Sequence, residues 1–358
     1  MESADGGDRK TVIVIAFRMS FEVTIGIPVY NAEKYIRQAM DSALSQTFEN
    51  IEFLILDDCG TDSSIEIVKD YQQTNPRGKD IRIVSQPCNM GIGEARNRIL
   101  DEARGKYLFF LDADDTISPN AIELLYNASQ KYDAEVVYGS HERIEEFGEK
   151  TNHIFNKYAP MVFLKDNEFA FWAYKDYNNL QAMIWNMLIK TDLYRKNKLR
   201  YLRISYLEDL AFTMDWPCYV TRAVMLDDIT YYYYCRKGSA SRYENRTSIE
   251  KREIESTIVV MNYFKDNSAL WRDRPFFCER MWKVLVTCYF VAMHIVKNEA
   301  IINPPFTKKE IRDVMRMPAF YPEMFKPGRC MPRNIYLYLL GASPPSLSVW
   351  LMKRIVRN

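Results

Sequence analysis

Three carboxylates, Asp112, Asp114 and Asp115, close the apolar run "YLFFL" in "YLFFLDADDTISP", Tyr107 to Pro119. Like charges this close repel and resist leaving water, so a buried strand end that collects them requires a positive partner. Two carboxylates at i and i+2 can hold a magnesium or manganese ion, which takes one or two protein carboxylates together with the phosphate oxygens of a substrate. The other reading is an acidic turn capping a helix that begins at Ser118 and Pro119. "LDDCGTD", Leu56 to Asp62, repeats the arrangement: Asp58 suits the base and ribose end of a nucleotide, and Asp62 a helix cap. "NMGIGEARN", Asn89 to Asn97, sets Gly91 and Gly93 at a helix start whose free amides favour anions, with Arg96 one turn inside, on a ligand or in solvent. In "YLEDLAF", Tyr206 to Phe212, an apolar frame raises a carboxyl pKa. One of Glu208 and Asp209 can then take a proton from a hydroxyl while its neighbour pairs with a cation; the alternative is a surface pair of acids.

Positioning these groups is the task of the elements around them. From Phe21 to Tyr138 short β-branched runs ("EVTIGIPV", "IEFLILD", "IRIVS", "YLFFLD", "AEVVYG") alternate with helical periodicity, which predicts βαβαβαβαβ and a mostly parallel sheet covered on both faces. Asn31 is expected to cap the first helix, Thr61 or Asp62 the second and Ser118 with Pro119 the fourth, while Gly105 closes the third. Polar residues then gather at the carboxyl ends of the strands, where open α/β sheets bind ligands. Residues 141 to 179 read as an excursion with a short hairpin over the site. "AVMLDDITYYYYCRKGSASR" reads as two strands joined near Asp227 and Asp228, residues 248 to 297 as two long helices, and the proline-broken remainder as short amphipathic helices.

Composition narrows the chemistry. With 358 residues, 47% hydrophobic, the chain can bury a large core. Its seven cysteines are scattered and odd in number, the usage of a reducing cytosol rather than of a zinc site or disulfide framework. Three histidines without metal or triad spacing leave the carboxylates to carry the chemistry. Residues 301 to 358 hold ten Lys/Arg against three Asp/Glu within a net charge of +1, so the tail is basic and the rest acidic. No run approaches a membrane span. The tail, ending "LMKRIVRN", either packs on the catalytic domain or rests peripherally on the inner face of an anionic membrane. No nucleic-acid recognition fold accompanies it. Met19 stands before "SFEVTIGIPVYN" as a second candidate start, which makes residues 1–20 an extension outside the fold.

The ensemble "VTIGIPVYNAEKYIRQAMDSALSQTFENIEFLILDDCGTDSS", "NMGIGEARNRIL", "GKYLFFLDADD", "WNMLIK" and "LEDLAF" resembles glycosyltransferase family 2, the inverting enzymes of the GT-A fold, in order and spacing. The resemblance implies a catalytic domain over residues 21–240, with a nucleotide-binding half at 21–140 and an acceptor half at 141–240, followed by a helical region at 241–358 that contacts acceptor or membrane. It also implies that Pro28, Tyr30 and Asp58 hold the nucleotide, usually uridine, that Arg96 lies beside the donor, that Asp112 and Asp114 engage manganese or magnesium and the diphosphate, and that Asp209 is the base beside Glu208. Arg236, Ser239 and Ser241 would close over the diphosphate. Cys59 stands where the family commonly has Gly or Asn, and Met187 where Lys is frequent. The expected activity is transfer of a sugar from a nucleotide-diphosphate sugar to a glycan or lipid-linked acceptor for a bacterial surface polysaccharide. The competing reading is a non-catalytic nucleotide-sugar-binding partner of another transferase, against which the intact Asp112, Asp114 and Asp209 weigh. A nucleotidyltransferase would want a Gly-rich basic loop after the first strand, and "PVYNAEKY" is not one.

Overall fold

The computed structural model describes residues 21–147, 150–176, 179–180, 184–204, 207–236, 247–326 and 330–357. The first half alternates as the apolar runs require: β1 (Phe21–Val29), α1 (Ile36–Leu44), β2 (Ile51–Asp57), α2 (Ser64–Thr74), β3 (Ile81–Ser85), α3 (Ile92–Glu102), β4 (Gly105–Phe110), a short β5 (Thr116–Ile117) and α4 (Ala121–Tyr132). Then follow β6 (Val136–Phe147), β7 (Lys150–Asn156), β8 (Met161–Phe163), α5 (Glu168–Lys175), β9 (Met187–Lys190), α6 (Thr191–Lys196), α7 (Glu208–Asp215) and β10 (Ala223–Arg236).

The main sheet runs β3-β2-β1-β4-β9-β6-β10-β5, with β7 beside β6 and β8 beside β10. From β3 to β4 all pairings are parallel, as the alternating pattern demands. Beyond β4 the sheet is mixed, because β9 inserts antiparallel between β4 and β6. The acidic loop after β4 is drawn across the sheet edge, where β5 pairs antiparallel with β10, Tyr231 opposite Ile117. Helices α1, α2 and α4 pack one face around Phe53 and Phe109, while α3, α6 and α7 pack the other around Phe110 and Trp216. Central strands thus carry apolar residues on both faces, and the polar groups are left at the strand ends.

Several local expectations are corrected. Asn31 does not cap α1, which begins at Ile36; it sits in the left-handed region (φ 50) and its Oδ1 accepts from Thr61 N at 2.7 Å, tying two rim loops together. Gly105 does not close α3, which ends at Glu102; it opens β4, where a Cβ would lie 2.4 Å from Thr24 N. Helix α4 begins at Ala121, beyond Ser118 and Pro119, with Ala121 N donating to the Ser118 carbonyl. The segment around Asp227 and Asp228 does not turn: β10 is one strand with register shifts between Met225 and Tyr231. The N-cap of α2 is Ser63 rather than Thr61 or Asp62, although Asp62 accepts from Ser64 N at 3.1 Å. The hairpin expected after His141 is present as β6 with β7.

The remaining chain forms β11 (Ile249–Glu250), α8 (Lys251–Ser268), α9 (Phe277–Lys297), β12 (Ile302–Asn303), α10 (Lys308–Met315), α11 (Met331–Ala342) and α12 (Pro345–Arg357). Its apolar core is continuous with Ala170 and Tyr174 of α5 and Ala211 and Met214 of α7. Arg280 of α9 is fully buried at that junction. Its Nη2 donates to Asp215 Oδ1 (2.6 Å), Nη1 to Tyr174 Oη (2.9 Å) and the Met214 carbonyl, and Nε to Ser268 Oγ (3.0 Å). A buried guanidinium survives only when its charge and N–H groups are met in this way. The clamp fixes the C-terminal end of α7, the helix that opens with Glu208 and Asp209.

Candidate active site

A cavity of about 400 Å³ opens at the carboxyl ends of the parallel strands, lined among others by Pro28, Tyr30, Tyr35, Asp58, Arg96 and Asp114. Its floor is set by backbone bonds: Asp58 N donates to the Val29 carbonyl at 3.0 Å, coupling the ends of β1 and β2. Asp58, only 3% exposed, accepts from Gln86 Nε2 (2.8 Å) and Met90 N (3.0 Å), both on Oδ1, so Oδ2 takes part in neither bond. Asp57 is a turn carboxylate instead, holding Cys59 N and Ser85 Oγ at 3.0 Å each. Cys59 keeps the turn in the left-handed region (φ 57), where Gly and Asn are the low-strain residues, and its Sγ lies 2.9 Å from the Gln86 carbonyl. Opposite, Gly91 (φ 84) supplies the positive φ that starts α3.

Arg96 is not solvated. At 6% exposure it bridges the two acidic motifs, Nη1 to Glu208 Oε1 at 2.6 Å and Nη2 to Asp112 Oδ1 at 3.3 Å. Burial alone would lower its pKa, but the Asp112 and Glu208 carboxylates outweigh burial and hold the guanidinium above its ordinary range. Its Nε is buried without a hydrogen-bond partner. Of the division expected between the two adjacent acids the cation pairing is present: Glu208 pairs with Arg96, while Asp209 accepts from Leu210 N. Burial, then the neighbouring Glu208 charge, push Asp209 up to about 6. Leu207, at φ 64, breaks the chain direction immediately before this pair. Glu208 and Asp209 do not line the cavity themselves; Glu208 reaches its edge through Arg96.

The acids after β4 divide their duties. Asp115, 1% exposed, accepts from Tyr231 Oη (2.9 Å) and from Tyr234 N (2.9 Å), so both oxygens anchor β10. The same Tyr231 hydroxyl accepts from Asp112 N at 3.2 Å. Asp112 and Asp114 are half-buried and line the cavity. Burial and the Asp112 charge raise the Asp114 carboxyl, and the same causes raise Asp115 further. Arg236 arrives from the end of β10, its guanidinium over the Tyr35 and Tyr234 rings at 4.3 and 4.4 Å, with Nη1 donating to the Asp114 carbonyl at 2.7 Å. Ser239 and Ser241 lie outside the described residues.

Sequence reasoning missed Tyr35, Gln86 and Tyr231. Tyr35 reads as an ordinary helix-start residue, and its partner Arg236 is about two hundred positions away. In "YYYYC" alternate residues share a face, so the run signalled a tyrosine toward the acids, but only the register with β5 selects Tyr231.

Residues 24–197 match the family model described as Glycosyl transferase family 2. Glycosyltransferase GlyA of Streptococcus pneumoniae is 29% identical over 230 residues, 62% of this chain and 32% of that protein. The poly(ribitol-phosphate) beta-glucosyltransferase of Bacillus spizizenii is 29% identical over 220 residues, 60% of this chain and 32% of that protein. The matches span about a third of the length of these two relatives. S. aureus TarS 1-349, solved in complex with UDP, superposes with a TM-score of 0.58 at 16% identity, covering 89% of this chain and 90% of that one, a likeness of fold. On these matches and this sheet, residues 24–197 carry a glycosyltransferase family 2 domain built on a GT-A fold.

Proposed function

We propose that this protein is a metal-dependent inverting glycosyltransferase that moves a sugar from a UDP-sugar to a hydroxyl of a glycan or lipid-linked acceptor in surface polysaccharide synthesis. The observation that carries the reading is one cavity lined by Asp58, Asp112, Asp114 and Arg96, with Arg96 bonded to Glu208, whose neighbour Asp209 is raised to about 6. The relatives add support: one is named a poly(ribitol-phosphate) beta-glucosyltransferase, and TarS was solved with UDP.

The donor set fits a divalent cation. Among the described residues no three metal-binding side chains form a closed cage. Asp112 and Asp114 instead supply the two hard oxygen ligands that magnesium or manganese combines with substrate phosphates. Among the described residues Arg96 and Arg236 are the arginines bonded to this acidic rim, and burial, then the Asp112 charge, raises Asp114 and Asp115. Asp112 and Asp114 would hold the ion, which when bound supplies charge neutralisation for the departing diphosphate.

Asp58 and Tyr30 hold the nucleoside. Arg96, locked between Glu208 and Asp112, keeps positive charge beside the diphosphate. Asp209 accepts the proton of the acceptor hydroxyl, whose oxygen forms the new bond to the anomeric carbon as the bond to the diphosphate oxygen breaks on the opposite face. The configuration at that carbon inverts. Residues 21–240 make up the catalytic unit in this reading, and residues 241–358 buttress its acceptor half.

The test is thermal unfolding with UDP, GDP, CDP and dTDP, each with and without manganese, because a ligand of the folded state raises Tm by mass action. A manganese-dependent shift with UDP is expected, reduced at least tenfold in affinity by Asp114→Ala. An Asp114→Ala protein that keeps the full manganese-dependent shift removes Asp114 from the ion's ligands, and no shift with any nucleotide in a folded protein overturns the donor-site assignment.

A further inference from the structure

The last two helices carry a surface that the catalytic reading does not use. Helix α11 buries Asn334, Leu337, Leu340 and Gly341. Its opposite stripe, Pro332, Ile335, Tyr336, Leu339 and Ala342, recurs at helical spacing, faces solvent and contains no charge; Leu339 is 55% and Tyr336 46% exposed. A helix that is apolar on both sides, with one side bare, marks a contact surface. The exposure continues along the chain through Pro344 and Ser346 into α12, where Leu347 and Trp350 are exposed while Val349 and Met352 are buried. Arg354 lies over the Trp350 ring at 4.1 Å.

Helices α11 and α12 themselves carry only positive charges, Arg333, Lys353, Arg354 and Arg357, of which Lys353 is paired with Glu299. Residues 301–358 hold ten Lys/Arg and three Asp/Glu, and each of those acids is already met by a cation: Glu310 by Lys251, Glu323 by Arg272 and Asp313 by Arg312. Two of these three cations come from outside the segment, and one outside acid, Glu299, meets Lys353, so the segment keeps a net positive charge. Two copies stacked through such a face would bring like charges together. An anionic lipid surface complements it, with cations at the phosphates and Trp350 and Tyr336 at the boundary where amphipathic aromatics settle. No described helix is long and apolar enough to cross a membrane, so the contact lies in the interface plane.

We propose that the α11–α12 face docks the enzyme on an anionic membrane. Neither helix lines the nucleotide cavity, so this docking stands apart from the donor assignments. The test is flotation of the full chain with vesicles of phosphatidylcholine alone and of phosphatidylcholine doped with phosphatidylglycerol, at low and high salt. Binding is expected only with phosphatidylglycerol, weakened at least tenfold by salt and at least tenfold by Leu339→Glu or Trp350→Glu. Both positions are exposed, and an unchanged Tm for each variant verifies the fold. Vesicle binding that the variants leave intact, or none by the parent chain, overturns the proposal. So does a dimer in light scattering that Leu339→Glu dissolves without any vesicle binding, which would make the face a subunit interface.

Discussion

Two buried arginines show how differently the same side chain is used. Arg280 sits in the helical buttress with Nε and both Nη atoms bonded to Ser268, Tyr174, Met214 and Asp215. Arg96, at the catalytic rim, holds two carboxylates yet leaves its Nε buried and without a partner. A saturated cluster stabilises one arrangement, whereas an incomplete one next to acids with raised pKa is poised for a ligand. Burial of charge alone therefore does not single out a ligand-facing arginine; of the two, Arg96 lines the cavity and Arg280 does not.

The largest expected effect tests the chemistry attached to Arg96. Asp209→Asn should lower UDP release from the preferred UDP-sugar by about 10²–10⁴-fold while the UDP-induced Tm shift survives. Turnover near the parent rate would take the base role from Asp209. Next come the arginines themselves. Arg280→Met strands Asp215 in the core and should cost about 3–5 kcal/mol of stability, on the order of 5–10 °C in Tm. Arg96→Met should lower Tm by less than half of that but cut turnover per folded molecule by about 10²–10³-fold. Equal destabilisation by both, with Arg96→Met otherwise active, breaks the comparison.

A pH profile sharpens it further. Burial and Glu208 raise Asp209 to about 6, and a base must be ionised to act, so kcat/KM should fall as pH drops through about 6 and level off above it. Glu208→Gln removes the neighbouring negative charge and frees Arg96, which moves this limb to lower pH. A limb that stays put, or moves up, contradicts the assignment. The smallest effect concerns Cys59. Asn tolerates its left-handed backbone and a β-branched residue does not, so Cys59→Asn should change stability by less than about 1 kcal/mol and Cys59→Val should lower it by about 1–2 kcal/mol. Equal Tm values for the two variants would mean that the turn relaxes freely.

How much of this was legible in the sequence depended on the range of the interaction. The strands β1 to β4 and their helices announce themselves by runs such as "IEFLILD" and "YLFFL", because strands buried on both faces cannot hide their composition. The acids of "LDADD" and "LEDLAF" were legible as chemistry for the same reason, polar groups set where an apolar run demands an explanation. The antiparallel insertion of β9 was not, since "MLIK" is too short to declare its partner or direction. Nor was the continuity of β10, whose "LDDIT" looks like a turn until the register shifts absorb the extra residues. The division of labour between Asp114 and Asp115 depends on hydrogen bonds to Tyr231 and Tyr234, more than a hundred residues away.

Those bonds also dictate an order of assembly. Strands β1 to β4 meet neighbours close in the chain, but the acidic loop is pinned only when Tyr231 and Tyr234 reach Asp112 and Asp115. Contacts of such long sequence separation form late in folding, and a chain emerging from the ribosome folds its N-terminal part first. A nascent chain that has not yet delivered β10 therefore possesses the parallel strands but not a pinned acidic loop, and under the proposed function donor affinity should emerge only after residue 236 has docked.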